Sequence, residues 1–320
     1  MDKILFLLIL AIFIDNDTLN NAEKPRVIIS TDIGGSDPDD YQSMVHFLLY
    51  ADRFEIEGLI SSPPKQGRKD HIEEVIQAYK HDLKNLRRHS KEFPRPASLT
   101  KVTKQGAINP QQDTIPQEFS EGAKWIIKRA MKKNKNPLFI LVWGSITDVA
   151  QAVHRVPEIK KYIKVYSIGS WNTVQDEKSR DYLYNNHPDL WWIENNTTFR
   201  GMYMGGYQEG DYGNVSFVEK NVKGHGALGN LFWEKKKDIK MGDTPSVLYM
   251  LHGDPNNPEG ASWGGTFIKS GHGENYWTDN MADSLIENGR HGARTVNLYR
   301  KEYLDDWAKR MNWLKNYEKK

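Results

Sequence analysis

The stretch Val27–Asp40, V-I-I-S-T-D-I-G-G-S-D-P-D-D, constrains this 320-residue chain more than any other. β-Branched residues open it as a strand, glycines turn it, and Asp32, Asp37, Asp39 and Asp40 follow within nine positions. Met44, Val45, Phe47, Leu48 and Leu49 then recur at the spacing of a helix with one buried face. The acids therefore sit where a strand gives way to a helix. In α/β proteins that place is the crevice at the carboxyl ends of a parallel sheet, where ligands are held. Carboxylates gathered there repel one another unless a cation neutralises them, and an all-oxygen set suits hard Ca²⁺ or Mg²⁺. A helix-capping reading makes Asp37 the N-cap, Pro38 the first helical residue, and Asp39 and Asp40 first-turn acids. That reading leaves Asp32 unexplained. The spacing also lacks the alternating ligands, central Gly and closing Glu of an EF-hand.

Alternation continues along the chain. Phe54–Ser61 reads as a strand, Asp70–Lys91 as a helix, Phe93–Pro116 as a long loop and Phe119–Asn134 as a helix. Leu138–Trp143 is apolar throughout, as in a strand buried on both faces; Ile146–Val153 reads as a helix and Ile163–Ile168 as a strand. This order predicts an α/β fold with a mostly parallel central sheet flanked by helices. From Gly169 to Trp277, Gly, Asn and aromatics dominate, which predicts a loop-rich C-terminal half with one short helix at Asp243–Leu251. Helices are expected again at Met281–Asn288 and Lys301–Tyr317, and Trp191, Trp192, Trp307 and Trp313 sit in helical patterns. One domain, residues 25–320, is expected.

Lys3 precedes an apolar run, Ile4–Ile14, too short for a bilayer span of about 20 residues but of signal-peptide proportions. Residues 1–22 are therefore read as a signal peptide, and the mature protein as secreted or periplasmic with no membrane contact. The absence of cysteine excludes disulfides, a thiolate zinc site, a Cys nucleophile and a lipid-modified Cys anchor. Charges are nearly balanced, at a net +2 with no basic block, which argues against nucleic acid as the main partner.

Three further segments place polar groups at strand ends or helix starts: Gly144–Ala150 (G-S-I-T-D-V-A), Ser167–Asn172 (S-I-G-S-W-N) and Gly242–Tyr249 (G-D-T-P-S-V-L-Y). With Val27–Asp40, and in this order, they resemble the inosine–uridine-type nucleoside hydrolases, whose first strand runs into D-x-D-P-G-x-D-D. The resemblance implies that Asp32 bridges Ca²⁺ and acts as general base, that Asp40 is a Ca²⁺ ligand, and that Asp39 contacts the sugar. It further implies a metal-bound carbonyl at Thr147 and a last ligand at Asp243. Ser30–Asp40, Phe54–Ile60, Ser170–Thr173, His187–Glu194 and Thr198–Tyr203 look more closely like the secreted nucleoside hydrolase-like domain of cellulose-binding Sde182-type proteins. Against the nucleoside hydrolase pattern, Gly35–Pro38 lengthens the acidic loop, so that Asp37 could replace or supplement a ligand. Ser30 stands where that pattern has its first Asp, and Gly242 where many members carry a His. Asn172 and Asn186 are the candidates for further substrate contacts.

The resemblance implies a Ca²⁺-dependent hydrolase of N-glycosyl, nucleoside-like, or related glycosidic bonds, in which Asp32 takes a proton from the attacking water. No leaving-group acid is assigned among His187, His225, His252, His272, Asp254 and Glu259. The alternative is a secreted carbohydrate-binding protein on a metal-stabilised scaffold of the same kind. Its support is an aromatic content of 11%, with Trp171, Trp263 and Trp277 on Gly/Asn/Ser-rich segments; Trp263 is the candidate sugar contact. A two-carboxylate O-glycosidase needs acids about 5–9.5 Å apart across a cleft, and tight clustering of these acids argues against it. The expected partner is a small glycoside or carbohydrate; self-association into a homo-oligomer is left open.

Overall fold

The computed structural model describes residues 23–315 apart from 36, 65 and 66; the expected signal peptide, residues 1–22, lies outside the described residues. Strand β1 (Arg26–Thr31) leads through the acidic turn into α1 (Asp39–Leu49), followed by β2 (Glu55–Ser61), α2 (Lys69–His89), α3 (Pro96–Val102) and β3 (Thr103–Gln105). Next come α4 (Glu121–Ala130), β4 (Leu138–Val142), α5 (Thr147–Arg155), β5 (Ile163–Ile168), α6 (Trp171–Gln175), α7 (Glu177–Asn186) and β6 (Trp192–Asn195). The remainder comprises α8 (Asn214–Asn221), α9 (Gly226–Lys235), α10 (Thr244–Leu251), β7 (Phe267–Lys269), β8 (Tyr276–Asp279), α11 (Arg294–Asn297) and α12 (Arg300–Asn312).

The strands form one sheet in the order β3-β2-β1-β4-β5-β6-β8-β7. Every neighbouring pair is parallel except β7 and β8. From β1 the chain builds outward to β2 and β3, then returns to the other side of β1 with β4, so Ser30 pairs with both Ile60 and Val142. The direction of winding reverses between β1 and β4, and the carboxyl ends of the strands at such a reversal are where α/β sheets hold ligands. Alternate residues of the central strands feed two cores. Val27, Ile29, Phe139 and Leu141 face the larger one, and Ile28, Leu138, Ile140 and Val142 the smaller. Helix α1 packs against α2, α9, α10 and α12, and every residue from Asp40 to Leu49 is buried. A polar residue on α1 must therefore find its partners inside the protein.

The expected α/β sheet is present, but five expectations are corrected. Phe93–Pro116 is not one long loop, since it contains α3, begun by Pro96 at the helix start, and the edge strand β3. The loop-rich segment after Gly169 holds not one short helix but α6–α10, together with strands β6–β8. Trp192 lies in β6 opposite Val165, not in a helix, and Trp277 lies buried in β8. Met281–Asn288 contains no α-helix, only a 3₁₀ turn at Asp283–Leu285. Strands of three or four residues carry too little periodicity to separate from helix or loop; pairing with distant strands fixes them.

Candidate metal and glycosyl site

A cavity of about 290 Å³ opens at the carboxyl ends of β1, β4 and β5. Asp32, Asp39, Asp40 and Asp243 line one part of it, and Trp143, Ser170, Trp171 and Asn172 another. Asp32 follows β1 directly. Gly144, which follows β4, must be a glycine here, since a Cβ on it would lie 2.8 Å from the Asp32 Cβ and 2.9 Å from Ser62 Oγ. The loops after β1 and β4 thus meet closely at Asp32 and Gly144, on one side of the cavity.

Asp40 is buried in the first turn of α1 and accepts a short hydrogen bond from Thr31 Oγ1. Asp243 immediately precedes α10; it is buried, and its Oδ2 has no hydrogen-bond partner. One carboxylate oxygen from each of Asp39, Asp40 and Asp243 lies within 4.8 Å of the others. Burial pushes the Asp39 carboxyl up to about 6, with Asp37 adding to the rise and Lys240 opposing it. Burial also holds Asp40 and Asp243 well above the usual carboxylate range; the charges of Asp32, Asp243 and Asp39 add to the rise at Asp40, and those of Asp39, Asp32 and Asp37 at Asp243. Three crowded carboxylates, one with an orphaned buried oxygen and none with a nitrogen or sulfur ligand among them, fit a hard divalent cation.

Helix α1 positions Asp243 across the cavity. The Gln42 Oε1 accepts the N–H groups of Lys240 at 3.0 Å and Met241 at 3.1 Å, while its Nε2 donates to the Asp238 carbonyl at 2.7 Å. From the sheet side, Trp143 Nε1 donates to Ser246 Oγ at 2.8 Å, and that hydroxyl donates to the Asp243 carbonyl at 2.7 Å. Met241 has φ +27°, so the chain reaches Asp243 through a backbone that an L residue rarely adopts.

The family model for the cellulose-binding Sde182, nucleoside hydrolase-like domain matches residues 26–267. The chain belongs to this family. Among solved structures, it is similar to a nucleoside hydrolase-related hypothetical protein from Saccharophagus degradans that is associated with carbohydrate metabolism. The identity is 24%, over 92% of this chain and 73% of that one, with a TM-score of 0.74. It is also similar to the inosine-uridine preferring nucleoside hydrolase from Bacillus anthracis, at 13% identity over 89% and 99% of the two chains and a TM-score of 0.53. The type III effector protein XopQ, solved in complex with adenosine diphosphate ribose, matches at 9% identity over 88% and 95%, with a TM-score of 0.51. At these identities the solved structures establish a common fold. No curated protein sequence matches the chain.

In this Sde182-type domain the residues expected from sequence separate into two groups. Asp32, Asp39, Asp40, Asp243 and Asn172 all line the cavity. Asn172 Nδ2 donates to the carbonyls of Trp143 at 2.8 Å and Ile168 at 3.1 Å, so it ties the ends of β4 and β5 together. Asp37 lines the cavity and forms an ion pair with Lys240. Thr147 does not line it: the hydroxyl donates to Asp176 at 2.6 Å, and the residue borders a second cavity near Gln111. Asn186 is exposed at the end of α7, where it donates to the Tyr182 carbonyl at 2.9 Å. Trp263 is stacked on His252 with ring centroids 4.6 Å apart and packs against the larger core. Neither Asn186 nor Trp263 reaches the cavity, because the segments carrying them are held elsewhere by these contacts. None of His187, His225, His252, His272, Asp254 and Glu259 lines it.

Sequence reading missed Phe199, Arg200, Tyr203 and Lys240, which line the cavity around Gly242 and Asp243. The first three belong to T-F-R-G-M-Y, the phrase at Thr198–Tyr203 that carries part of the family resemblance. Nothing in its spacing signals a ligand, because it reaches the cavity only through the pairing of β6 beside β5.

Proposed function

We propose that this domain is an exported, Ca²⁺-dependent hydrolase of an N-glycosyl or related glycosidic bond. The observation that carries the reading is the meeting of Asp32, Asp39, Asp40 and Asp243 in one cavity at the strand reversal beside β1. Asp32, Asp40 and Asp243 would hold the ion with Asp39 beside them. The Thr147 carbonyl is left out of this ligand set because Thr147 does not line the cavity. When bound, a hard divalent cation supplies a seat for sugar hydroxyls and makes water easier to deprotonate. Asp32, which lines the cavity, takes the proton of the attacking water as a general base. Neighbouring carboxylates stabilise the positive charge that develops at the anomeric carbon as the bond to the leaving group breaks. Asp39 is placed to accept a hydrogen bond from a sugar hydroxyl.

The test is free-sugar release from a panel of nucleosides and aryl glycosides, with Ca²⁺ or with chelator. Release should require Ca²⁺ and fall by about 10²–10⁴-fold in Asp32→Asn. Near-normal rates in that variant would remove Asp32 as the base.

A second reading is glycan binding without cleavage. It is favoured by Trp171, 60% exposed at the cavity wall, and by the absence of histidine from the lining among the described residues. The family description as cellulose-binding points the same way. Cellulose sedimentation that survives Asp32→Asn and Asp40→Asn, with no sugar released from any panel member, would favour this reading over hydrolysis.

A further inference from the structure

One arginine departs from the charge pattern of the cavity. Arg200, in the 3₁₀ turn Thr198–Met202, is partly buried in the cavity wall. Its Nη1 donates to the Asn196 carbonyl at 2.7 Å and its Nη2 to Ser170 Oγ at 2.8 Å, both neutral acceptors. Arg26 and Arg129 share Glu57, Arg180 holds Glu194 and Arg310 holds Asp52; the fully buried Arg300 also meets only neutral acceptors, but it spends five hydrogen bonds on Met202, Tyr207, Tyr212 and Asn214 and does not line the cavity. Among the described residues Arg200 has no such carboxylate. Asp279 is the acid whose charge acts on it, but the Asp279 oxygens accept the backbone N–H groups of Asn196, Thr197 and Thr198. Burial, helped by the charge of Arg290, lowers the Arg200 pKa more than Tyr203 and Asp279 raise it. Nor is Arg200 the cation that acts on the acids: Lys240 is paired with Asp37 and acts on Asp39 and Asp243.

Its neighbour Ser170 adds a second, independent feature. Ser170 holds φ +58° and ψ −110°, a conformation glycine adopts freely and serine does not, and its N–H is fixed on Asn196 Oδ1 at 2.8 Å. The Ser170 hydroxyl accepts from Arg200 and so keeps its own proton to donate. Arg200 uses two of its five N–H donors on protein, and its guanidinium lies 4.4 Å from the Phe199 ring centroid, which restrains its plane. The wall is therefore a fixed, donor-rich, positively charged surface facing the same cavity as the acids.

We propose that the Arg200–Ser170 wall receives an anionic group of the ligand, a carboxylate or a phosphate, making the substrate a charged glycosyl compound and not a neutral nucleoside or glucan. The inference rests on the glycosyl reading of the acidic cluster and adds the class of ligand to it. A planar guanidinium matches either oxyanion with parallel hydrogen bonds, and a half-closed cavity strengthens them.

The experiment is calorimetric titration of the intact Ca²⁺-loaded Asp32→Asn chain, which reads binding without turnover, with two matched pairs of ligands. One pair is methyl glucoside against its 6-carboxylate, the glucuronide; the other is uridine against uridine 5′-monophosphate. The charged member of at least one pair should bind at least tenfold more tightly than its neutral twin, and the pair that responds distinguishes carboxylate from phosphate. Adding Arg200→Gln should bring that ratio to about one while leaving the neutral affinity in place, and Arg200→Lys should retain part of it. Equal affinities within both pairs, no binding by any of the four, or a preference that survives Arg200→Gln would each overturn the proposal. The comparison within each pair needs no Arg200 variant to fold. Sugar release from neutral compounds with no charge preference would leave the hydrolase reading standing and end this one.

Discussion

The Gln42 side-chain amide holds the backbone of Met241, whose N–H it accepts at 3.1 Å, and in this way α1 sets the place of Asp243 on the far side of the cavity. The same amide takes the N–H of Lys240 and donates to the carbonyl of Asp238, so one buried side chain satisfies three backbone groups of the approach to α10. Gln42→Leu leaves those groups inside the protein without partners. It should cost about 1–3 kcal/mol of stability by urea unfolding, and Ca²⁺ affinity should drop with it. Unchanged Ca²⁺ affinity in a folded variant would show that Asp243 is held by the Trp143–Ser246 side alone.

Gly144 tests the other side of the site. A methyl group on this residue would press on Asp32 at 2.8 Å, with Ser62 at 2.9 Å preventing retreat. Gly144→Ala should fold, because the residue lies beyond the end of β4, yet bind Ca²⁺ about 10–100-fold more weakly, the usual cost of disturbing a ligand's support. Wild-type affinity by calorimetry would mean that Asp32 is not a ligand.

The crowded carboxylates make metal-free stability pH-dependent in an unusual direction. Asp39 is pushed up to about 6 in the folded chain against an ordinary 3.8, and Asp40 and Asp243 are also held well above that ordinary value. The folded state therefore holds protons that the unfolded chain has already released. This contribution is harmless below the ordinary value and becomes a penalty as pH rises through about 6 and above. In chelator, Tm should fall from pH 5 to pH 7.5. Ca²⁺ at 100 times its Kd should add about 2.7 kcal/mol at pH 7.5, and progressively less as the acids protonate. Superimposable melts with and without Ca²⁺ at pH 7.5 would dispose of a metal at this site.

Trp171 should matter for binding and not for folding. It is 60% exposed in the wall of the cavity, so Trp171→Ala should leave Tm within a degree or so, as for surface changes generally. Loss of one aromatic face for a sugar ring should weaken glycan affinity by roughly 2–10-fold. A large fall in Tm would recast Trp171 as a packing residue, and unchanged affinity would take it out of the site.

The fold was readable where local patterns are long. Leu138–Val142 is apolar enough to be a central strand on any reading, and the strand at Ile163–Ile168 is found with the expected bounds. The acidic turn was readable for a different reason: Asp32, Asp39 and Asp40 are close in the chain, so any strand–turn–helix there must bring them together. Asn186 and Trp263 lie away from this cavity, and nothing local to them encodes a direction. An Asn near a helix end caps its own helix, and a Trp beside a His stacks on it, whatever lies elsewhere.

By itself, then, the sequence determined an α/β chain with carboxylates at the end of its first strand, because alternating periodicity and neighbouring residues are local properties. Tertiary structure alone decided which distant groups face those carboxylates. Asp243 arrives because Gln42 holds the segment leading to it, and Arg200 arrives because β6 pairs beside β5. Thr147, at the start of α5, places its hydroxyl on Asp176 and borders a second cavity. These outcomes depend on strand order and on hydrogen bonds between segments far apart in the chain. No window of sequence contains both partners of such a contact, so only the closed core fixes it.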